Sequence, residues 1–177
     1  LKFPVVIKPI NEGSSVGVHI VQAEDNPVGV KMGDWHYSKK VMVEEYIPGK
    51  EITCGIMNSK ALPLIELRPV TGFYDYYHKY TQGVTEHIIP AEIPKAIAQK
   101  CQSWTEKLHK SIGCKGVTRS DYRYDAEQDR LVLLEINTQP GLTDLSLVPE
   151  AAHHSNISYD ELIYWLLEDA LCPDPLN

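Results

Sequence analysis

The sequence predicts an α+β fold, an antiparallel sheet covered by helices. Three observations predict it. Short β-branched and aromatic runs recur between turn signals, as in VMVEEYI (41–47), EITCGIM (51–57), ALPLIELRP (61–69), VTRSDYRY (117–124) and RLVLLEIN (130–137). Two helical patterns carry their own start and stop residues, near 94–113 and 158–173. The strands follow one another instead of alternating with helices, which argues against parallel βαβ units.

In chain order, Phe3–Ile7 reads as a strand closed by Lys8-Pro9, then a loop from Asn11 to Gly17, then a strand over Val18–Val21. Residues 22–40 are polar and weakly periodic, and Pro27, Gly29 and Gly33 argue against one long helix there. Asn58-Ser59-Lys60 is a hairpin turn between the second and third runs of the central region. The aromatic stretch TGFYDYYHKYTQG (71–83) is a long connection bounded by Gly72 and Gly83. Loops of that length are usually functional or disordered, and by itself it reads more often as an aromatic loop packed on the sheet than as a lid. Pro94 starts the clearest helix, with Ile97, Cys101, Trp104, Leu108 and Ile112 on one stripe read as core, and Gly113 stops it. The last helix opens on a capping box, Ser158 with Glu161. It continues with Leu162, Ile163, Leu166, Leu167 and Ala170 on its apolar face and ends at Pro173.

Composition narrows the function classes. Hydrophobic residues make up 43% and charged residues 23% of the 177, the balance of a folded chain. Seventeen Lys and Arg against 24 Asp and Glu give −7, which argues against nucleic acid or an anionic membrane as the main partner. A small phosphate-bearing molecule is not excluded, because local lysines and backbone N–H groups can hold one. No apolar run approaches the roughly 18–20 residues of a membrane span, and no charged-then-apolar leader is present. Cys54, Cys101, Cys114 and Cys172 form no CxxC pair and read as reduced thiols, so a cytoplasmic location is expected. The chain opens on Leu1 and runs straight into a strand, as expected of the later portion of a longer polypeptide.

The 117–137 hairpin concentrates the chemistry. Alternation puts Arg119 and Asp121 on one face of their strand, and Glu135 with Asn137 on one face of the next. Val132, Leu134 and Ile136 then take the opposite, core face. Two carboxylates and an amide oxygen on one face repel unless a cation lies between them, and three oxygen donors suit Mg²⁺. An isolated antiparallel hairpin more often just wets such a face. What tips the balance is TQPGLT (138–143), a Pro-Gly turn that can aim backbone N–H groups at the same spot. The EGSSVG loop (12–17) is neither a Walker A sequence nor a GxGxxG fingerprint, yet a Gly-Ser loop after Lys8 can cover a polyphosphate. His153-His154 has no soft ligand beside it and is read as structural.

IKPINEGSSVGV, VEEYIPGKEIT, FYDYYHKY, GVTRSDYRYD, LLEINTQPGLTDLSLVP and the closing helix, in that order, resemble the D-alanine–D-alanine ligase family of ATP-grasp enzymes. The resemblance runs from about Phe3 to Leu171 and is poorest over 22–40. It implies that 1–43 belong to a central ATP-grasp lobe and 44–177 to a C-terminal lobe, with an ω-loop over 71–83 and a nucleotide site between lobes. It implies ATP and Mg²⁺ as cofactors, two ions, with Mn²⁺ able to substitute.

Residue by residue, Lys8 resembles the lysine on the α-phosphate side, and Ser14 and Ser15 lie in the loop closing over the phosphates. Glu44, Glu45, Tyr46 and Ile47 resemble the hinge that reads adenine, and Glu51 the carboxylate on the ribose hydroxyls. Lys79 would touch the γ-phosphate and Tyr80 would pair with Ser14 to shut the lid. Asp121, Glu135 and Asn137 match the metal ligands, Arg119 and the Gly141 N–H the oxyanion stabilisers. Ser146 with Leu147 matches the site for the second substrate's carboxylate.

The activity so implied joins two D-alanines through an acyl phosphate for peptidoglycan precursor synthesis. Expected partners are ATP, D-alanine, the N-terminal domain of the same polypeptide and a second copy in a homodimer. That N-terminal domain supplies further substrate and phosphate contacts in the family, so these 177 residues alone are expected to be a poor ligase. Two other readings stay open: an ATP-grasp ligase for another carboxylate–amine or carboxylate–hydroxyl pair, and a nucleotide-binding module without catalysis. Tyr80 argues against the D-lactate version, where the family has histidine.

Overall fold

The computed structural model describes residues 1–13, 15–23, 37, 40–69, 85–143 and 145–171. Their elements are β1 (Val5–Pro9), β2 (His19–Val21), β3 (Val41–Glu45), β4 (Lys50–Met57), β5 (Lys60–Pro69), β6 (Thr85–Ile88), α1 (Lys95–Ser111), β7 (Thr118–Asp125), β8 (Arg130–Asn137), α2 (Leu147–His154) and α3 (Tyr159–Leu171). They fall into two compact units. One is drawn from Leu1–Pro48 and Pro69–Glu86, the other from Gly49–Arg68 and His87–Asn177.

The first unit is built on an antiparallel sheet in the order β2-β1-β3. Between β1 and β2 the chain turns tightly: Val16 N–H donates to Gly13 O and Val18 N–H to Ser15 O, with Ser15 at φ +59°. Past β3, Tyr46 N–H still donates to Pro4 O, and Ile47 is buried.

The second unit holds a five-stranded sheet in the order β6-β5-β4-β7-β8. The β4–β5 hairpin closes on Asn58 and Ser59, both at positive φ, with Met57 opposite Lys60. That is the geometry two-residue hairpins favour, because it matches strand twist. Helix α1 lies on the face bearing Ile52, Cys54, Tyr122 and Tyr124 and joins their core cluster through Ile97 and Cys101. Full burial of an aliphatic side chain such as Ile52 is worth about 1.5–3 kcal/mol. The Tyr122 hydroxyl sits 2.7 Å from Thr105 Oγ1, and His109 Nδ1 2.9 Å from Thr118 Oγ1, while the buried Ser120 hydroxyl on the same face has no hydrogen-bond partner among the described residues. On the other face a Cβ at Gly55 would lie 3.1 Å from Leu62 Cδ1 and 3.4 Å from Val148 of α2, so glycine lets both pack closely there.

Two expectations need correction. The buried stripe of α1 is Ile97, Cys101, Thr105 and His109, a strict four-residue step, while Ile112 is exposed beyond the helix. Trp104 is only partly buried, at the edge of the core, with Lys100 Nζ 4.7 Å from its ring centroid. Of the core face expected for β8, Ile136 stands opposite buried Ser120 as expected, but Val132 and Leu134 do not belong to it. Asp121 pairs with Glu135 but Tyr122 pairs with Leu133, so Leu134 is an extra residue and alternation restarts there. Beyond that bulge it is Leu131 that is buried, and Leu134 is exposed.

Capping follows the sequence signals. Ser158 and Glu161 exchange bonds, Ser158 N–H donating to Glu161 Oε2 at 2.7 Å and Glu161 N–H to Ser158 Oγ at 3.2 Å. Gly113, at φ +70°, ends α1.

Glu66 is a buried carboxylate inside this scaffold. It accepts from Lys50 Nζ and Arg68 Nη2, each at 2.8 Å, and from Glu92 N–H at 3.2 Å. Burial alone pushes its carboxyl up, but the hydrogen bonds from Lys50 and Arg68 bring it below the usual range. A depressed carboxyl contributes stability above its unfolded value, near 4.3, and loses it as pH falls through the folded value. Glu66→Gln is therefore expected to flatten the loss of urea stability between about pH 5 and pH 3. An unchanged pH profile in the variant would contradict this assignment.

Candidate functional site

In the first unit the expected phosphate lysine and adenine-side glutamate meet. Lys8 and Glu44 lie on adjacent strands two positions off register, and Lys8 Nζ is 2.6 Å from Glu44 Oε2. Glu45 is exposed, Tyr46 half-buried and Ile47 buried, with Ser15 in the turn before β2. Ser14, Lys79, Tyr80, the ω-loop 71–83 and most of 22–40 lie outside the described residues.

In the second unit, β4, β7 and β8 place the remaining charged candidates on the face opposite α1. The register is direct: Glu51 faces Arg123, Thr53 faces Asp121, and Gly55 faces Arg119. On the other side Asp121 faces Glu135 and Arg119 faces Asn137. Residues directly opposite on an antiparallel pair share a face with Cβ atoms about 4.5–5.5 Å apart. The four residues read from the hairpin are thus brought together, and the bulge at Leu134 lies just beyond them.

Charge in this cluster is balanced by Arg119. Its Nε donates to Asp121 Oδ1 at 2.9 Å and its Nη2 to Oδ2 at 2.8 Å, both side chains being mostly buried. Thr53 Oγ1 donates to the same Oδ1 at 2.6 Å. Glu51 is held by Arg123 Nη1 at 3.3 Å. Glu135 is exposed, and Asn137 Oδ1 accepts the Gln139 N–H at 3.0 Å, which bends the chain into the Pro-Gly turn.

The turn leads to α2. Gly141 sits so near Ser146 that a Cβ would lie 2.8 Å from Ser146 Oγ, so glycine permits the approach. Ser146 occupies the N-cap of α2, where its hydroxyl accepts the Thr143 N–H at 3.0 Å instead of bonding into the helix. Helix α2 went unread in the sequence although Ser146 and Leu147 were singled out. Its eight residues, with Pro149 in the first turn, are too short to show periodicity.

The donor set fits a hard divalent cation. Among the described residues no cluster of three or more His, Cys, Asp or Glu occurs. A cation here would therefore take two carboxylates and an amide, with water or phosphate oxygens for the rest, as Mg²⁺ prefers. Cys54 and Cys101 offer no rival chemistry, because burial pushes their thiols up to about 12. Among the described residues no helix is long and apolar enough to cross a membrane.

Sequence reasoning missed Thr53 and Arg123. The alternation of EIT already put Thr53 on the face of Glu51, but which residues of β7 oppose them is a long-range fact.

Comparison with known proteins identifies a family. A family model described as "D-ala D-ala ligase C-terminus" matches residues 1–168. The D-alanine–D-alanine ligase of Acidiphilium cryptum is 47% identical over 169 residues, covering 96% of this chain and 56% of that protein. The D-alanine–D-alanine ligase of Bacillus anthracis superposes with a TM-score of 0.79 at 33% identity, over 96% of this chain and 55% of that one. Its crystal structure complexed with ATP gives 0.76 at 32%, over 96% and 54%. The VanG D-Ala:D-Ser ligase of Enterococcus faecalis gives 0.77 at 29%, over 95% and 50%. The chain spans a little over half the length of the curated relatives it matches.

Proposed function

This chain belongs to the D-alanine–D-alanine ligase C-terminal family, with its α+β ATP-grasp fold, and from that premise we propose that it carries most of the catalytic machinery of an ATP-dependent ligase. The complete polypeptide joins two D-alanines through an acyl phosphate. The observation that carries the reading is the direct opposition of Asp121 and Glu135 across β7 and β8, with Arg119 clamped to Asp121.

In this reading Asp121, Glu135 and Asn137 would hold Mg²⁺, as two ions, with Mn²⁺ as substitute. Bound Mg²⁺ supplies charge neutralisation between a polyphosphate and an attacking carboxylate. Lys8, Ser14, Ser15 and Lys79 handle the phosphates of ATP. Glu44, Glu45, Tyr46 and Ile47 meet the base, and Glu51, braced by Arg123, takes the ribose. Arg119 and the Gly141 N–H stabilise the oxyanion that forms when the amine attacks. In a comparable site the loss of one such donor costs about 10²–10³ in rate. Ser146 and the Leu147 N–H, at the start of α2, suit the carboxylate of the second amino acid, since helix N-termini favour anions. Tyr80 and the ω-loop exclude water that would hydrolyse the acyl phosphate. An N-terminal domain of the same polypeptide completes the first amino-acid site, and a homodimer is the expected assembly.

The test is phosphate release from Mg²⁺ and ATP by the complete polypeptide, with D-alanine, L-alanine, D-serine or D-lactate added. Release that requires D-alanine, with D-alanyl-D-alanine as product, is the expected result. The D-Ala:D-Ser neighbour makes D-serine as second substrate the specific rival, read as a mixed product when both amino acids are present. Tight ATP binding without release would leave a nucleotide-binding module.

A further inference from the structure

We infer that Thr53 is a positioning residue for Asp121: its buried hydroxyl and the Arg119 guanidinium together fix the carboxylate so that one acceptor position, on one oxygen, is left for a divalent cation. The inference rests on the metal role proposed for Asp121 and deepens it.

Thr53 lies in the middle of β4, 1% exposed and directly opposite Asp121. A hydroxyl has one proton to give. Here it stands 2.6 Å from Asp121 Oδ1 and 3.5 Å from Ser120 O, so the carboxylate is its partner. An ionised carboxylate offers four acceptor positions, two per oxygen. Oδ1 uses both of its own, on Thr53 and on Arg119 Nε, while Oδ2 uses one, on Arg119 Nη2. What remains is a single position on Oδ2.

The torsion that turns a carboxylate about its Cβ–Cγ bond is broad and soft. Arg119 shares a strand with Asp121 and approaches from that side; Thr53 approaches from the neighbouring strand. Donors from two strands stop the rotation. Mg²⁺ needs near-ideal octahedral geometry, so a fixed carboxylate oxygen is worth more to it than a mobile one. Residues that orient a metal ligand in this way typically cost about 10–100-fold in metal affinity when lost.

A purely structural Thr53 would serve only as a β-branched filler, and valine would replace it without consequence. The decisive measurement is Mn²⁺ affinity in the presence of ADP, by electron paramagnetic resonance, on the complete polypeptide. Thr53→Val is expected to weaken it at least about tenfold with the melting temperature little changed, and Thr53→Ser to restore it. Thr53→Ala provides the same arm should the valine methyl clash in the core. Mn²⁺ affinity within twofold of wild type in the valine and alanine variants would overturn the inference. So would a serine variant as impaired as they are. Asp121→Asn, run alongside, separates the two readings: if it leaves Mn²⁺ affinity intact, the metal role of Asp121 itself fails.

Discussion

Asp121→Asn is expected to lower Mg²⁺-dependent ATP turnover of the complete polypeptide about a thousandfold. A bound cation contributes several kcal/mol of charge stabilisation to such a transfer, and each 1.36 kcal/mol is a factor of ten. Asparagine keeps the shape and one acceptor oxygen but gives up the charge. It also presents an amide nitrogen to a guanidinium that donates to both oxygens of Asp121. Arg119 then loses a partner in a mostly buried setting, where a hydrogen bond to a charged group is worth about 1.5–3 kcal/mol. Glu135→Gln separates the two effects. Glu135 is exposed and stands outside the Arg119 clamp, so its variant is expected to lose comparable activity with little change in melting temperature. Unchanged turnover in both variants would remove the metal assignment. Activity loss in Asp121→Asn alone would mean that this residue matters through Arg119 and the fold.

The contrast between those two carboxylates marks where sequence reasoning ends. Alternation within a strand is local, so Arg119 with Asp121, and Glu135 with Asn137, were legible as face-sharing pairs. Their opposition across the hairpin was not: the turn at 126–129 pairs Asp125 with Arg130, and that register continued unbroken would set Asp121 against Leu134 instead of Glu135. The bulge at Leu134 was not legible. Nothing in RLVLLEIN distinguishes the extra leucine from its neighbours, and one inserted residue reverses which side chains face the core on one side of it. For the same reason the pairing of Glu51 with Arg123, and of Thr53 with Asp121, had no local signal: β4 and β7 are some 70 residues apart in the chain and meet only in the sheet. Helix signals were more reliable where capping chemistry marked the ends, as at Ser158 and Gly113, and silent where α2 was too short to repeat. Lys8 and Glu44 were singled out separately for a ligand; that they pair with each other across β1 and β3 was visible only in coordinates.

Gly49→Ala is expected to destabilise the protein by about 3–5 kcal/mol, the largest stability effect anticipated for a single methyl group here. Gly49 sits at φ +93°, where an L side chain is strained by about 1–2 kcal/mol. Strain is the smaller part. A Cβ there would overlap the Tyr124 carbonyl oxygen and lie 2.9 Å from its carbon and 3.0 Å from Asp125 Cα, all backbone atoms of β7. Backbone in a paired strand cannot swing aside as a flexible side chain does, so relief means parting Lys50 from Tyr124 at the end of the β4–β7 ladder. For a chain of this size each 1 kcal/mol moves the melting temperature about 2–4 °C, so a fall of roughly 10 °C is expected. Gly113→Ala supplies the control: Gly113 is at φ +70° with nothing within 4 Å of its Cβ position, so it carries the strain without the overlap. Equal shifts in the two variants would show that close approach to β7 contributes nothing. The unequal result would also carry a functional mark. The pair after Lys50–Tyr124 is Glu51–Arg123, and displacing it should raise the KM for ATP while leaving that for the amino acid nearly unchanged.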